Sequence, residues 1–126
     1  MLNRVTLMGR FTKDPELKQT TTGTAVCAFT LACEQDYTPE GGEKKADFID
    51  VVAWKQTGEF VSRNFRKGNL VCVTGRLTIR DWTDKDGNKR RNAEVVADHV
   101  YYCEKRTQDW TAAAEAAPEM EEGFPF

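Results

Sequence analysis

Apolar and polar positions alternate with a period of two along most of this chain, the pattern of strands that bury one face. In residues 1–10, Val5 and Leu7 share one face, with Arg4, Thr6 and Met8 on the other. Residues 25–33 carry apolar or small side chains on both faces, as expected where one side meets the core and the other is only partly covered. In residues 47–54, Ile49, Val51 and Ala53 form one face and Phe48, Asp50, Val52 and Trp54 the other. Over 71–82, Val71, Val73, Leu77 and Ile79 are expected to be buried opposite Arg76, Thr78, Arg80 and Trp82. A further long strand is expected from about residue 92 to 102, and a short one near 17–19 between turns at Asp14-Pro15 and residues 20–23.

Only residues 57–67 keep helical spacing, through Phe60, Val61, Asn64 and Phe65, with Thr57 as the expected cap and Arg66 and Lys67 suited to the C-terminal dipole before Gly68. Two strands run into Gly-Arg, at Gly9-Arg10 and Gly75-Arg76, which suggests glycines where strands bend or bulge in a small closed barrel. One short helix between the third and fourth of five long strands is the element order of an all-β, five-stranded OB-fold barrel.

The segment 75–91 concentrates the candidate chemistry. Asp86-Gly87-Asn88 is a turn signal, so Arg76, Arg80 and Trp82 on one arm and Lys89, Arg90 and Arg91 on the other make a long basic hairpin carrying an indole. Cations track phosphates, and flat rings accept stacked bases at about 1–3 kcal/mol each. The competing reading is a solvated hairpin whose charges discourage edge-to-edge association. Phe48 and Trp54 lie six residues apart on one strand face, roughly 20 Å at ~3.3 Å per residue, a spacing that could seat separate bases. Asp50 between them argues that this face is exposed, because a core rejects an unpaired charge; the reverse, with the rings in the core, stays open. The loop around 37–45 repeats the theme of ring and cation with Tyr37, Lys44 and Lys45.

Composition changes the picture in two places. The chain has 126 residues and a net charge of −2, but residues 1–106 hold all 18 Lys and Arg against 15 Asp and Glu, whereas residues 107–126 hold five acids and no base. A body of +3 therefore carries a tail of −5. Two domains follow: a folded body over 1–106 and a disordered acidic tail over 107–126 that closes on Glu121, Glu122, Phe124, Pro125 and Phe126, a compact anionic and hydrophobic handle for a protein partner. Cys27, Cys33, Cys72 and Cys103 lack metal-ligand spacing and His99 is the only histidine, so free thiols are expected and no metal or other cofactor. No apolar run is long enough for a membrane span and no signal-peptide core is present, which makes a cytoplasmic, nucleoid-associated protein without a membrane partner the expectation.

Met1-Leu2-Asn3-Arg4-Val5, Gly9-Arg10, Asp14-Pro15-Glu16, Phe29-Thr30-Leu31-Ala32, Arg66-Lys67-Gly68, Gly75-Arg76-Leu77 and Glu94-Val95-Val96 stand in the order seen in the bacterial-type single-stranded DNA-binding proteins, and the acidic tip ending in Pro125-Phe126 is that family's second signature. The chain resembles this family over nearly its whole length. Ala93 departs from a frequent threonine, and the tail is short, with few acids and an unusual Phe124 before the proline. The resemblance implies an OB-fold homotetramer that wraps single-stranded DNA and recruits replication, recombination and repair proteins through the tail tip. It places the stacking rings on Tyr37, Phe48, Trp54 and Trp82. Phosphate contacts are expected from Arg4, Arg10, Lys44, Lys45, Lys55, Arg76, Arg80, Lys85, Lys89, Arg90 and Arg91.

Two other classes are weighed. A nuclease built on Asp47, Asp50, Asp81, Asp84 and Asp86 is disfavoured: the glycine of the Asp84–Asp86 turn is misplaced for a calcium loop, and no acid keeps a catalytic spacing with a histidine or lysine. The chain is therefore expected not to be an enzyme. An OB-fold protein-interaction module, in which DNA binding is secondary, is the alternative.

Overall fold

The computed structural model describes residues 1–37 and 39–104. The elements in chain order are β1 (Val5–Phe11), β2 (Glu16–Gln19), β3 (Ala25–Glu34), β4 (Ala46–Trp54), α1 (Lys55–Asn64), β5 (Leu70–Thr83) and β6 (Lys89–Tyr102). Sheet order is β1-β5-β6-β4-β3-β2, and a second pairing of β1 with β3 closes the five long strands into a ring. The short β2, read from the sequence near 17–19, hangs on the outside of β3. With β2 set aside, the helix falls between the third and fourth long strands, as the OB-fold order requires. The acidic tail expected over 107–126 lies outside the described residues, as do its tip residues Glu121, Glu122, Phe124, Pro125 and Phe126. Among the described residues no helix is long and apolar enough to cross a membrane.

The alternation dictates the core. Cys27, Phe29 and Leu31 of β3, Val51 and Ala53 of β4, and Val71 and Val73 of β5 all turn inward. Helix α1 adds Val61, and Phe65 just beyond it stacks on Phe11 with ring centroids 5.4 Å apart. Of the four thiols only Cys27 is buried, and burial pushes its pKa up to about 11; all four are free.

The helix differs from expectation at both ends. It starts at Lys55, Trp54 makes no side-chain cap, and Thr57 lies inside the first turn with its hydroxyl 3.5 Å from the Asp98 carbonyl oxygen. It ends at Asn64, four residues before Gly68, and there Arg66 does what a basic C-terminus should: its guanidinium donates to the carbonyls of Ser62 at 3.0 Å and Phe65 at 2.7 Å.

A larger correction concerns Leu77 and Ile79. Both are exposed, at 43 % and 50 %, although they continue the inward phase of Val71 and Val73. The cause is the length of β1: its pairing with β5 starts at Val5 opposite Gly75, so residues beyond Gly75 have backbone partners only on β6. Leu77 still stands opposite the buried Val95, whose strand pairs with β4, and only from Thr78 onward do β5 and β6 run on as a two-stranded ribbon. The Asn3 side chain extends the β1 edge by one step, its amide donating to the Leu77 carbonyl and accepting from the Leu77 N–H, each at 2.9 Å.

Both Gly-Arg sites mark close approaches. The register between β5 and β6 shifts between Thr74 and Gly75, and a Cβ on Gly75 would lie 2.1 Å from the Val96 carbonyl oxygen. A Cβ on Gly9 would lie 2.8 Å from the Ala32 carbonyl oxygen, where β1 crosses onto β3. Because the Gly75 obstacle is backbone, no rotamer change relieves it. Gly75→Ala should lower stability by about 1–3 kcal/mol, the usual range for overpacking. Urea unfolding tests this: the midpoint should fall at unchanged slope, and a variant as stable as the parent would show that the strands can part at no cost.

Candidate nucleic-acid interface

Ladder pairing assembles one continuous outer face. Residues opposite one another on neighbouring strands share a face, so Lys18 of β2, Val26 of β3 and Trp54 of β4 form one row, and Ala32 and Phe48 form another. Ala28–Val52 and Thr30–Asp50 make the two rows between, and Asp50 is not unpaired: the Thr30 hydroxyl donates to its Oδ1 at 2.9 Å. Phe48, Asp50 and Trp54 are exposed while Ile49, Val51 and Ala53 face inward or half inward, which settles the orientation of β4 as expected from the charge on Asp50.

Trp54 is held outward by its backbone. The next residue, Lys55, has φ of 55°, the left-handed region that a residue with a Cβ enters at a cost of about 1–3 kcal/mol. This reversal takes the chain from the outer strand face into α1 and leaves the indole on the surface with Lys55 exposed beside it.

The hairpin carries the third ring. Trp82 pairs with Arg90, and Arg80 with Asn92, so these four share one side of the ribbon. With its amide turned so that both ends are satisfied, Asn92 accepts from Trp82 Nε1 at 3.1 Å, which fixes the plane of the indole. The tip is knit by Asp84. Its Oδ1 accepts from the backbone N–H groups of Asn88 at 2.9 Å and Asp86 at 3.0 Å, and its Oδ2 accepts from Arg90 Nε at 2.9 Å.

The remaining expected residues divide into two sets. Tyr37, Lys44 and Lys45 are exposed in the loop between β3 and β4, which Gln35 and Lys45 close with a 2.9 Å backbone bond. Lys85 and Lys89 are exposed on the hairpin, and Arg76 donates to the Thr78 hydroxyl. Arg4 and Arg10 instead form ion pairs with Asp98 and Glu104, and Arg91 pairs with Asp81 at 3.1 Å. The pairs to Asp98, Glu104 and Asp81 are solvent-exposed and weakly held, so a phosphate can compete for the same guanidinium groups.

A groove of about 610 Å³ runs across the outer face between the β1–β2 turn, β3, β4 and the hairpin, and it brings in residues that sequence periodicity did not single out: Lys13, Lys18, Thr30 and Glu94. Lys18 escaped notice because all four residues of β2 are exposed, so the segment has no buried face to set a phase. Its signal was only the turn residues on either side.

Residues 2–103 match the model of the single-strand binding protein family. The chain belongs to that family. Among its relatives are the single-stranded DNA-binding protein of Caldanaerobacter subterraneus subsp. tengcongensis, 41 % identical over 125 residues, which covers 98 % of this chain and 83 % of the relative. The single-stranded DNA-binding protein 2 of Staphylococcus aureus strain Mu50 is 47 % identical over 106 residues, 84 % of this chain and 75 % of the relative. The single-stranded DNA-binding protein A of Bacillus subtilis strain 168 is 44 % identical over 106 residues, 84 % and 62 % of the two chains.

In this family member the hairpin tip carries its own titration signal. The Asn88 N–H, the Arg90 guanidinium and the Asp86 N–H hold the Asp84 carboxyl below its ordinary 3.8. A depressed carboxyl stabilises the folded tip above the unfolded-state pKa and loses that contribution as pH falls through the folded value. Amide chemical shifts and exchange rates of Asp86 and Asn88, followed by NMR as pH is lowered below 3.8, should move together as the tip loosens. In Asp84→Asn this acid transition should vanish.

Proposed function

We propose that the chain binds and protects single-stranded DNA without reading an extended sequence. The observation that carries this reading is the single outer face on which Phe48 and Trp54 stand exposed along β4, with Trp82 displayed on the basic hairpin. Stacking needs a base with an open π-face, which duplex DNA withholds, so rings of this kind select single strands. Lys18, Arg76, Arg80, Lys89, Arg90 and Arg91 supply cations from which a bound backbone releases its counterions. Tyr37, with Lys44, Lys45, Lys55 and Lys85, extends the track, while Arg4 and Arg10 serve it only after leaving Asp98 and Glu104.

The role is non-catalytic and belongs to DNA replication, recombination and repair in the cytoplasm, at the nucleoid. Four copies assemble as a homotetramer, and the body over 1–106 is joined to the acidic tail over 107–126, whose Glu121, Glu122, Phe124, Pro125 and Phe126 recruit partner proteins. The family membership and the names of the relatives support single-stranded DNA binding, and the remaining points rest on the resemblance to the family. A protein-interaction module is the second reading, favoured by the exposed Leu77 and Ile79 and by the apolar groove of about 340 Å³ among Val5, Leu7, Phe48, Ile49 and Leu77.

Titration with oligo-dT and with matched duplex, following tryptophan fluorescence, separates the two. Single strands alone should quench strongly, and Trp54→Ala and Trp82→Ala should each weaken binding by about 1–3 kcal/mol. Equal response to duplex, or no loss in either variant, would favour the interaction module. Salt dependence tests the cations: Arg80→Ala should reduce the slope of log K against log salt by about 1, the value for one lost phosphate contact. Arg91→Ala should reduce it less, because Asp81 already competes for that guanidinium.

A further inference from the structure

One wall of the outer groove is the turn between β1 and β2, whose residues have no strand ladder to hold them. Lys13 and Asp14 stand exposed in that turn and both line the 610 Å³ groove. As charges beside a phosphate track the two oppose each other, since the ammonium attracts what the carboxylate repels. The acid therefore needs another use.

Its hydrogen bonding shows one. Asp14 Oδ1 accepts from the backbone N–H of Lys67 at 2.8 Å, 53 residues along the chain, a charge-assisted bond to a segment that is itself closed. There the Arg66 N–H donates to the Asn69 side-chain oxygen at 2.7 Å, the Asn69 N–H donates back to the Arg66 carbonyl at 3.1 Å, and Gly68 takes a φ of 89° that a Cβ would oppose. Two backbone bonds fasten this turn to the end of β1: Gly68 N–H to the Phe11 carbonyl at 2.8 Å, and Phe11 N–H to the Asn69 carbonyl at 3.1 Å. Thr12 is fastened to β3, its N–H and its hydroxyl both donating to the Thr30 carbonyl, at 3.2 and 3.1 Å. Fixation by the backbone thus reaches Thr12. Among the described residues, the bond from Lys67 to Asp14 is the one that carries it further, to the residue beside Lys13.

We propose that Asp14 is a positioning residue for single-stranded DNA: by tying the β1–β2 turn to Lys67 it holds the neighbouring Lys13 toward the groove, where the ammonium meets phosphate. The proposal rests on the reading of this face as a single-stranded DNA site. The sign of the effect separates this role from simple charge. On charge alone, removal of an acid beside the phosphate path tightens binding whichever residue replaces it. If Asp14 positions Lys13, alanine frees the turn and weakens binding, whereas asparagine keeps an oxygen for the Lys67 N–H, loses the repulsion and binds at least as well as the parent.

Oligo-dT is titrated against the full-length parent, Asp14→Ala, Asp14→Asn, Lys13→Ala and the double variant Lys13→Ala/Asp14→Ala over a series of salt concentrations, with urea unfolding to establish that each is folded. Lys13→Ala should reduce the slope of log K against log salt by roughly 0.7–1, the value for one phosphate contact. Asp14→Ala should weaken binding and lower the slope by a similar amount, while Asp14→Asn keeps the parental slope. In the Lys13→Ala background, Asp14→Ala should weaken binding no further. Tighter binding by both Asp14 variants would assign the residue to charge alone and overturn the proposal, as would an equal loss from Asp14→Ala with and without Lys13. A parental slope in Lys13→Ala would overturn it and leave the reading of the face intact. Failure of the parent to bind oligo-dT would overturn both.

Discussion

Ring closure by β1 is the constraint on which the rest depends. One strand of seven residues pairs with β5 along most of its length and with β3 at its end, and this double engagement turns an open sheet into a ring around the phenylalanine cluster. Closure forces backbones together at two places, Gly9 against Ala32 and Gly75 against Val96, where no side chain fits. It also fixes where support stops. Past Gly75, β5 keeps only β6 as a backbone neighbour, and beyond Leu77 the same strand that was a wall of the core becomes one arm of a two-stranded ribbon. The projecting hairpin is thus a consequence of a short β1 as much as of its own sequence.

That transition explains which parts of the fold were legible. Strict alternation with a core below it, as in β3 and β4, announces both the strand and its buried face. The exposure of Phe48 and Trp54 followed from Asp50, because a charge on a strand has one affordable side. Leu77 and Ile79 failed the same test because periodicity reports phase and says nothing about whether anything lies beneath the face. The missing information was the length of a strand seventy residues away. Lys18 was hidden for the opposite reason: β2 has no buried face, and only pairing with β3 reveals that it stands in the row of Trp54. The helix boundaries were misplaced because its N-terminus is set by the Lys55 backbone reversal and not by a capping side chain.

Charge placement carries the next step. Arg90 is committed to Asp84 and Arg91 to Asp81, so the hairpin is less cationic than its composition suggests and more ordered. The exposed Arg91–Asp81 pair holds its guanidinium group in place at little net energy, less than about 1 kcal/mol, whereas Arg90 is held by the more sheltered Asp84. In the proposed complex a phosphate would exchange one anionic partner for another, which would weaken the dependence on bulk attraction and leave stacking to discriminate between single and double strands.

The acids on the groove floor push in the same direction. Asp50 and Glu94 line the groove together with Lys13, Lys18 and Arg80, so in the proposed complex phosphates would favour the cations and leave bases to face the acids. A uniformly basic face would hold the backbone equally well anywhere and impose no such orientation. On the proposed reading, repulsion from these acids would add what attraction alone cannot, an orientation in which bases face Phe48 and Trp54. A surface that binds through rings gains from being electrostatically uneven, and a body with a net charge of only +3 is the composition that such an uneven surface leaves behind.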